Sequence, residues 1–178
     1  MLVKIYALPI STMVWWALAG ITLWVVAGLF VKKYWRPVNV FLLVLGLTGI
    51  LYITLFKRTT GEYDISLVPF VSFRLARINP EYYRTMLLNC LMFVPFGLGL
   101  SVSIPWKISS KMRAVIMILT GTVVSFSIEL IQYLFKLGNA EVDDIIFNVL
   151  GMVLAAVAFA IWQWGINYEK HKSNKRDN

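Results

Sequence analysis

Histidine and cysteine are almost missing from this chain: 178 residues contain one of each, His171 and Cys90. A single cysteine excludes an intramolecular disulfide, and no second histidine or cysteine completes a metal-ligand spacing. Neither a metal nor a cofactor is expected. Charge is scarce as well, at 15% of residues against 59% hydrophobic ones, and the mean hydropathy is +0.72. Soluble domains carry roughly 25% charged and about 45–50% apolar residues, so this composition belongs to an integral membrane protein. No Gly-rich phosphate loop, GxSxG elbow or long internal repeat occurs. A net charge of +8 suggests nucleic acid at first sight, but most basic residues flank apolar runs and form no single patch. Charge placed that way reports membrane topology, and no nucleic-acid partner is expected.

Five apolar runs are long enough to cross the roughly 30 Å hydrocarbon core. They cover residues 11–31, 38–56, 85–104, 114–135 and 143–164. Residues 1–10 lack a basic leader and a cleavage site, so the first run reads as an uncleaved span. Pro37 suits the first turn of the second helix. Pro95 falls within the third, where it removes one backbone donor. The fold class is therefore all-α, a polytopic helical bundle with a long loop between its second and third spans. Residues 1–168 make the transmembrane domain and residues 169–178 a solvated basic tail without regular structure. Within the loop, residues 65–73 (ISLVPFVSF) are apolar, interrupted by Pro69 and too short to span, which suggests an interfacial or re-entrant segment.

Five spans put the termini on opposite sides. One side holds Lys32, Lys33, Arg36, Lys107, Lys111, Arg113, Lys170, Lys172, Lys175 and Arg176. The other holds Lys4, Lys57, Arg58, Arg74, Arg77, Arg84 and Lys136. The positive-inside rule places the richer set in the cytoplasm, with the N-terminus outside and the C-terminus inside.

Polar residues inside spans are costly and mark candidate sites. Ser125, Glu129 and Gln132 share a stripe on the fourth span, at i, i+4 and i+7. Asp144, Asn148 and Gly151 repeat that spacing on the fifth, and Asn89, Phe93 and Gly97 share a face of the third. At 1.5 Å per residue, Glu129 lies about 9 Å and Gln132 about 4–5 Å below the end of its helix. Asn89 and Asn148 lie about one turn in from the same side, where Lys57 and Arg58 crown the second span. Three helices thus aim polar groups at one depth in the outer half of the membrane. Asp143 is expected to cap its own helix, where a carboxylate favours the macrodipole. Gly138 is expected to cap the preceding helix, and Gly97 and Gly151 to permit close helix approach.

Two functional classes follow. In the first, Arg58, Asn89, Ser125, Glu129, Gln132, Asp144 and Asn148 form an outward-facing polar pocket for a membrane lipid headgroup or a lipid-linked cell-wall precursor, with Arg58 toward phosphate. In the second, the chain is an intramembrane enzyme in which Glu129 and Asp144 divide acid and base roles on such a substrate. No Ser–His or Cys–His pair supports covalent acyl chemistry, and polar residues near one face argue against alternating-access transport.

The segments LFKR (55–58), LVPF (67–70), LNCLMFVPFGLGL (88–100), SFSIELIQYLF (125–135) and GNAEVDDIIFNVLG (138–151) resemble, in that order, the VanZ-like family of bacterial membrane proteins. The match places Arg58, Pro69, Asn89, Phe93, Pro95, Gly97, Glu129, Gln132, Asp144, Asn148 and Gly151 at signature positions. The resemblance implies a helical bundle at the plasma membrane and, through the founding member, a part in resistance to the glycopeptide teicoplanin. Many members have an arginine in the fourth-to-fifth connection. This chain has Gly138-Asn139 there, which shifts any such role to Lys136 or Arg58.

Overall fold

The computed structural model describes residues 9–30, 35–56 and 65–174, with side chains described as far as residue 168. Five long helices form the bundle: α1 (Ile10–Phe30), α2 (Trp35–Leu51), α4 (Glu81–Ser103), α5 (Ser110–Phe135) and α6 (Val142–Asn174). Each is long and apolar enough to cross a membrane, α2 together with the π-helical turn Tyr52–Phe56 that extends it. The chain is a multi-pass membrane protein. Between α2 and α4 stand a two-residue strand, β1 (Ile65–Ser66), and a short helix, α3 (Val71–Ala76); β2 (Ala140–Glu141) precedes α6.

Lipid tails are as apolar as leucine, so burial alone does not hold membrane helices together; close packing at small residues does. The crossings here follow that logic. A methyl on Gly46 would lie 2.6 Å from the backbone nitrogen of Phe96, joining α2 to α4. One on Gly97 would lie 2.6 Å from the Ala155 Cβ, joining α4 to α6. Gly99 abuts the backbone of Leu43, Gly151 the carbonyl of Cys90, and Gly121 the side chain of Met152. Helix α4 is consequently central, packed along both α2 and α6, while α5 packs mainly on α6 and α1 leans on α6 with lighter contact to α4. Phe93, Met117, Met152 and Ala155 are fully enclosed between these helices.

The two ends of the bundle differ. Where α1, α4 and α6 finish, Trp24, Trp35, Trp106 and Trp162 stack with Phe159. The Trp24 indole N–H donates to Asn39 Oδ1 at 3.0 Å, and Asn39 Nδ2 donates to the Trp35 carbonyl at 2.7 Å. Arg113 is buried at the same end, although its position suggested a solvated topological charge. Its guanidinium donates to the carbonyls of Ser101, Ile104 and Pro105, the terminal acceptors of α4 and the turn after it. It also lies 5.1 Å from the Trp106 ring centroid and 5.0 Å from that of Phe159. Helix-end carbonyls without intrahelical partners need such a donor.

Two further expectations are corrected. The cap of α5 is Lys136, at φ 53°, and not Gly138; the Leu137 N–H reaches back to the Gln132 carbonyl at 2.9 Å, closing a Schellman-type turn two residues earlier. Helix α6 continues to Asn174, so residues 169–174 are helical; nothing from Glu169 to Asn174 is a helix breaker. Residues 65–73 are an ordered cap on the bundle end that carries the polar residues: β1 pairs in parallel with β2, Ile65 with Ala140 and Ser66 with Glu141.

Candidate functional site

The polar stripes meet where α4, α5 and α6 converge beneath this cap. Asn89, Ser125, Glu129, Gln132, Asp144 and Asn148 are all more than nine-tenths buried. Four of them bond in two pairs across the helices, and the other two bond to backbone. Asn89 Nδ2 donates to Asp144 Oδ1 at 2.5 Å, tying α4 to α6. Asn148 Nδ2 donates to Ser125 Oγ at 2.8 Å, tying α6 to α5. Because α5 and α6 are antiparallel, that pair sets Glu129, one turn further along α5, level with Asp144, one turn back along α6. Glu129 Oε2 accepts the backbone N–H of Glu141 at 3.0 Å. Gln132 Nε2 donates to the carbonyl of Thr54 at 2.8 Å, tying α5 to the π turn of the second span.

The structure thus brings together six of the seven sequence-predicted residues. Arg58 lies outside the described residues, as does Lys57. The arrangement is a closed junction, whereas the sequence suggested a pocket open at the membrane surface.

Asp143 was expected to cap its own helix and does not. Its carboxylate accepts the backbone N–H groups of Phe70 (2.5 Å) and Ser72 (2.8 Å) and so caps α3, whose N-cap residue Phe70 offers no side-chain acceptor and stands at φ 63°. Residues more than seventy positions apart are joined by this contact and by the β1–β2 bridge. Beneath them Ala76, Met86, Cys90 and Phe147 form a second small apolar cluster, with the Phe73 and Phe147 rings 5.6 Å apart. Together these hold the cap over the polar junction. Asp143→Ala is expected to remove about 1–2 kcal/mol from the cap's docking, the worth of a helix N-cap. Amide exchange at Phe70 and Ser72, followed by mass spectrometry, should quicken about 10-fold; unchanged exchange would show that the bridge alone holds the cap.

The donors and acceptors of the junction do not balance. Each amide nitrogen has its acceptor, but Gln132 Oε1 and Asn148 Oδ1 are buried and receive no hydrogen bond. A buried carbonyl left without a donor costs about 1–3 kcal/mol, and native structures keep few of them. Glu129 and Asp144 stand between these two amides along the helix axes, and both carboxylates already have partners. The two amide oxygens have the chemistry to accept N–H or O–H groups. Among the described residues no group of three His, Cys, Asp or Glu side chains is arranged to hold a metal ion.

Two participants escaped sequence reading. The Thr54 carbonyl enters from the backbone of a π turn, a local register change common near functional sites. The Glu141 N–H is likewise backbone, so residue type carries no signal for it.

Fold and site define a polytopic helical membrane protein with a capped, acceptor-rich junction at one end of its bundle. Residues 40–163 match the VanZ/LLP1 family, and the chain belongs to it. It is 29% identical over 133 residues to Protein VanZ of Enterococcus faecium, covering 72% of this chain and 78% of that protein. No solved structure matches it. The family match takes in every residue of the polar junction and leaves out α1.

Proposed function

We propose that this chain binds a donor-bearing polar group of an envelope lipid or lipid-linked cell-wall precursor at the α4–α5–α6 junction, and thereby contributes to glycopeptide tolerance or envelope upkeep. The observation that carries this reading is the pair of buried, unpartnered amide oxygens, Gln132 Oε1 and Asn148 Oδ1, about one turn to either side of two carboxylates. Hydroxyl, amide and ammonium groups, which such headgroups and glycans carry, would satisfy them. The ligand would reach the junction when the cap held by Asp143 lifts. The junction would lie in the outer half of the bacterial plasma membrane, with the N-terminus outside and the C-terminus in the cytoplasm. The charge bias supports that orientation, though burial of Arg113 narrows it to nine against seven.

A second reading, chemistry on the same ligand, draws on two buried carboxylates at one level, Glu129 bonded to the Glu141 backbone N–H and Asp144 to the Asn89 amide among their contacts. One experiment separates the two. Envelope lipids and lipids co-purified with the protein are compared by mass spectrometry for cells expressing wild type, Glu129→Gln, the double variant Glu129→Ala/Asp144→Ala, or nothing. Binding predicts unchanged total lipids, one species enriched on wild type, and at least a 5-fold loss of it in the double variant. An envelope species made or consumed only with wild type, and not with Glu129→Gln, would establish the enzyme. Equal enrichment on the double variant would refute binding at this junction.

A further inference from the structure

A cavity of about 770 Å³ lies on the opposite face of α4 from the polar junction. Leu88, Leu91, Pro95 and Leu98 line it from α4, and at 3.6 residues per turn this stripe faces away from that of Asn89, Phe93 and Gly97. Helix α1 supplies Met13, Ala17 and Gly20, and α2 supplies Val38 and Leu42. Among the described residues, no charged, hydroxyl or amide side chain lines it. The indole N–H of Trp24, which also lines it, is already given to Asn39.

Four observations identify what fits there. All three walls are membrane-spanning helices, so the medium around the groove is hydrocarbon. The groove is long: Leu88 to Leu98 covers about 15 Å of α4, and Met13 to Ala27 about 21 Å of α1, at 1.5 Å per residue. With carbon–carbon bonds of about 1.5 Å, an extended alkyl chain advances roughly 1.3 Å per carbon, so this length takes roughly 12–16 carbons. Trp16 and Leu23 of α1, which also line it, are exposed, so the groove faces the bilayer along its length. Finally, Gly20 faces open space, with no heavy atom within 4 Å of where its Cβ would stand. At Gly46, Gly97, Gly99, Gly121 and Gly151 the missing side chain admits a neighbouring helix; at Gly20 it widens the groove. Toward the far end, Trp35 and Trp162 press on Gly28 of α1.

We infer that this groove is a binding site for one acyl chain of a bilayer glycerophospholipid, held between α1 and α4. The inference is independent of the ligand assigned to the polar junction, since α4 separates the two.

Photo-crosslinking tests it. The full chain is reconstituted in phosphatidylcholine vesicles containing a phosphatidylglycerol with a diazirine at mid-chain, irradiated, and mapped by peptide mass spectrometry. Adducts are expected on the peptides holding Ala17–Gly20 and Leu91–Pro95, at least 5-fold above those on the exposed α2 positions Phe41 and Val44. Gly20→Phe should lower the groove adducts at least 5-fold. Gly49→Phe, at a second open glycine outside the groove, should leave them unchanged. Adducts spread evenly over exposed positions, as a passing lipid shell gives, would overturn the proposal, as would equal yields from the two variants. Displacement of the probe by an equimolar long-chain isoprenyl phosphate would overturn the acyl assignment. Should Gly20→Phe not fold, the wild-type adduct map alone still decides.

Discussion

Replacing Gly151 by leucine is expected to force α4 away from α6 and to lower the melting temperature of the purified protein by roughly 6–12 °C. A side chain there meets the carbonyl of Cys90 and, at 3.0 Å, the Phe93 Cβ. The obstruction is helix backbone, which cannot rotate aside as a flexible side chain does. Overpacking typically costs about 1–3 kcal/mol, and a backbone obstacle sets the expectation at about 3 kcal/mol or more. For a chain of this size each kcal/mol is worth roughly 2–4 °C. The damage extends to the site, because Asn148 precedes Gly151 by one turn and Asp144 by two. Gly49→Leu is the matched control, since nothing stands within 4 Å of that position, and it should shift stability by no more than about 0.5 kcal/mol. Thermal unfolding in one detergent checks both. Equal melting temperatures would mean that α4 and α6 do not cross at this glycine.

Arg113→Met is expected to be comparably damaging at the other end, costing about 3–5 kcal/mol. The guanidinium serves three carbonyl oxygens and lies over both the Trp106 and Phe159 rings. Methionine fills part of the volume but leaves buried acceptors on Ser101 and Ile104 unserved, at about 1–3 kcal/mol each. Arg113→Lys should recover less than half of the loss, because a compact ammonium lacks the planar fork that reaches several acceptors while stacking on a ring. Chemical unfolding of the three proteins, followed by tryptophan emission, measures this. A methionine variant as stable as wild type would show that the α4 end finds other donors.

The spans and the polar junction were both legible because each rests on a local contrast. Long apolar runs with basic boundaries mark helices by composition alone. Asn89, Glu129, Gln132, Asp144 and Asn148 are conspicuous because their neighbours are not polar, and helical spacing predicts which of them share a face. What stayed hidden depends on distant parts of the chain. The Asp143 carboxylate looks like a local cap in sequence, and only the fold shows Phe70 and Ser72 waiting for it. Arg113 reads as one more flanking charge, because its burial depends on Trp106 and Phe159 arriving from the turn and from α6. Lys136 takes the left-handed cap although Gly138 is the residue better suited to it. The groove along α1 is invisible for the same reason: Gly20 in an apolar helix gives no sign of whether it meets a neighbour or empty space.

The tryptophan stack gives the molecule an optical signature. Ring centroids lie 4.7 Å apart for Trp24 and Trp35, 5.3 Å for Trp35 and Trp162, and 5.8 Å for Trp106 and Trp162. Indoles this close and mutually tilted couple their electronic transitions, so they absorb polarised light as one chiral array. The array draws one ring from α1, one from α2, one from the turn after α4 and one from α6. Its near-ultraviolet dichroism therefore reports the seating of four separate chain segments at once, without any label.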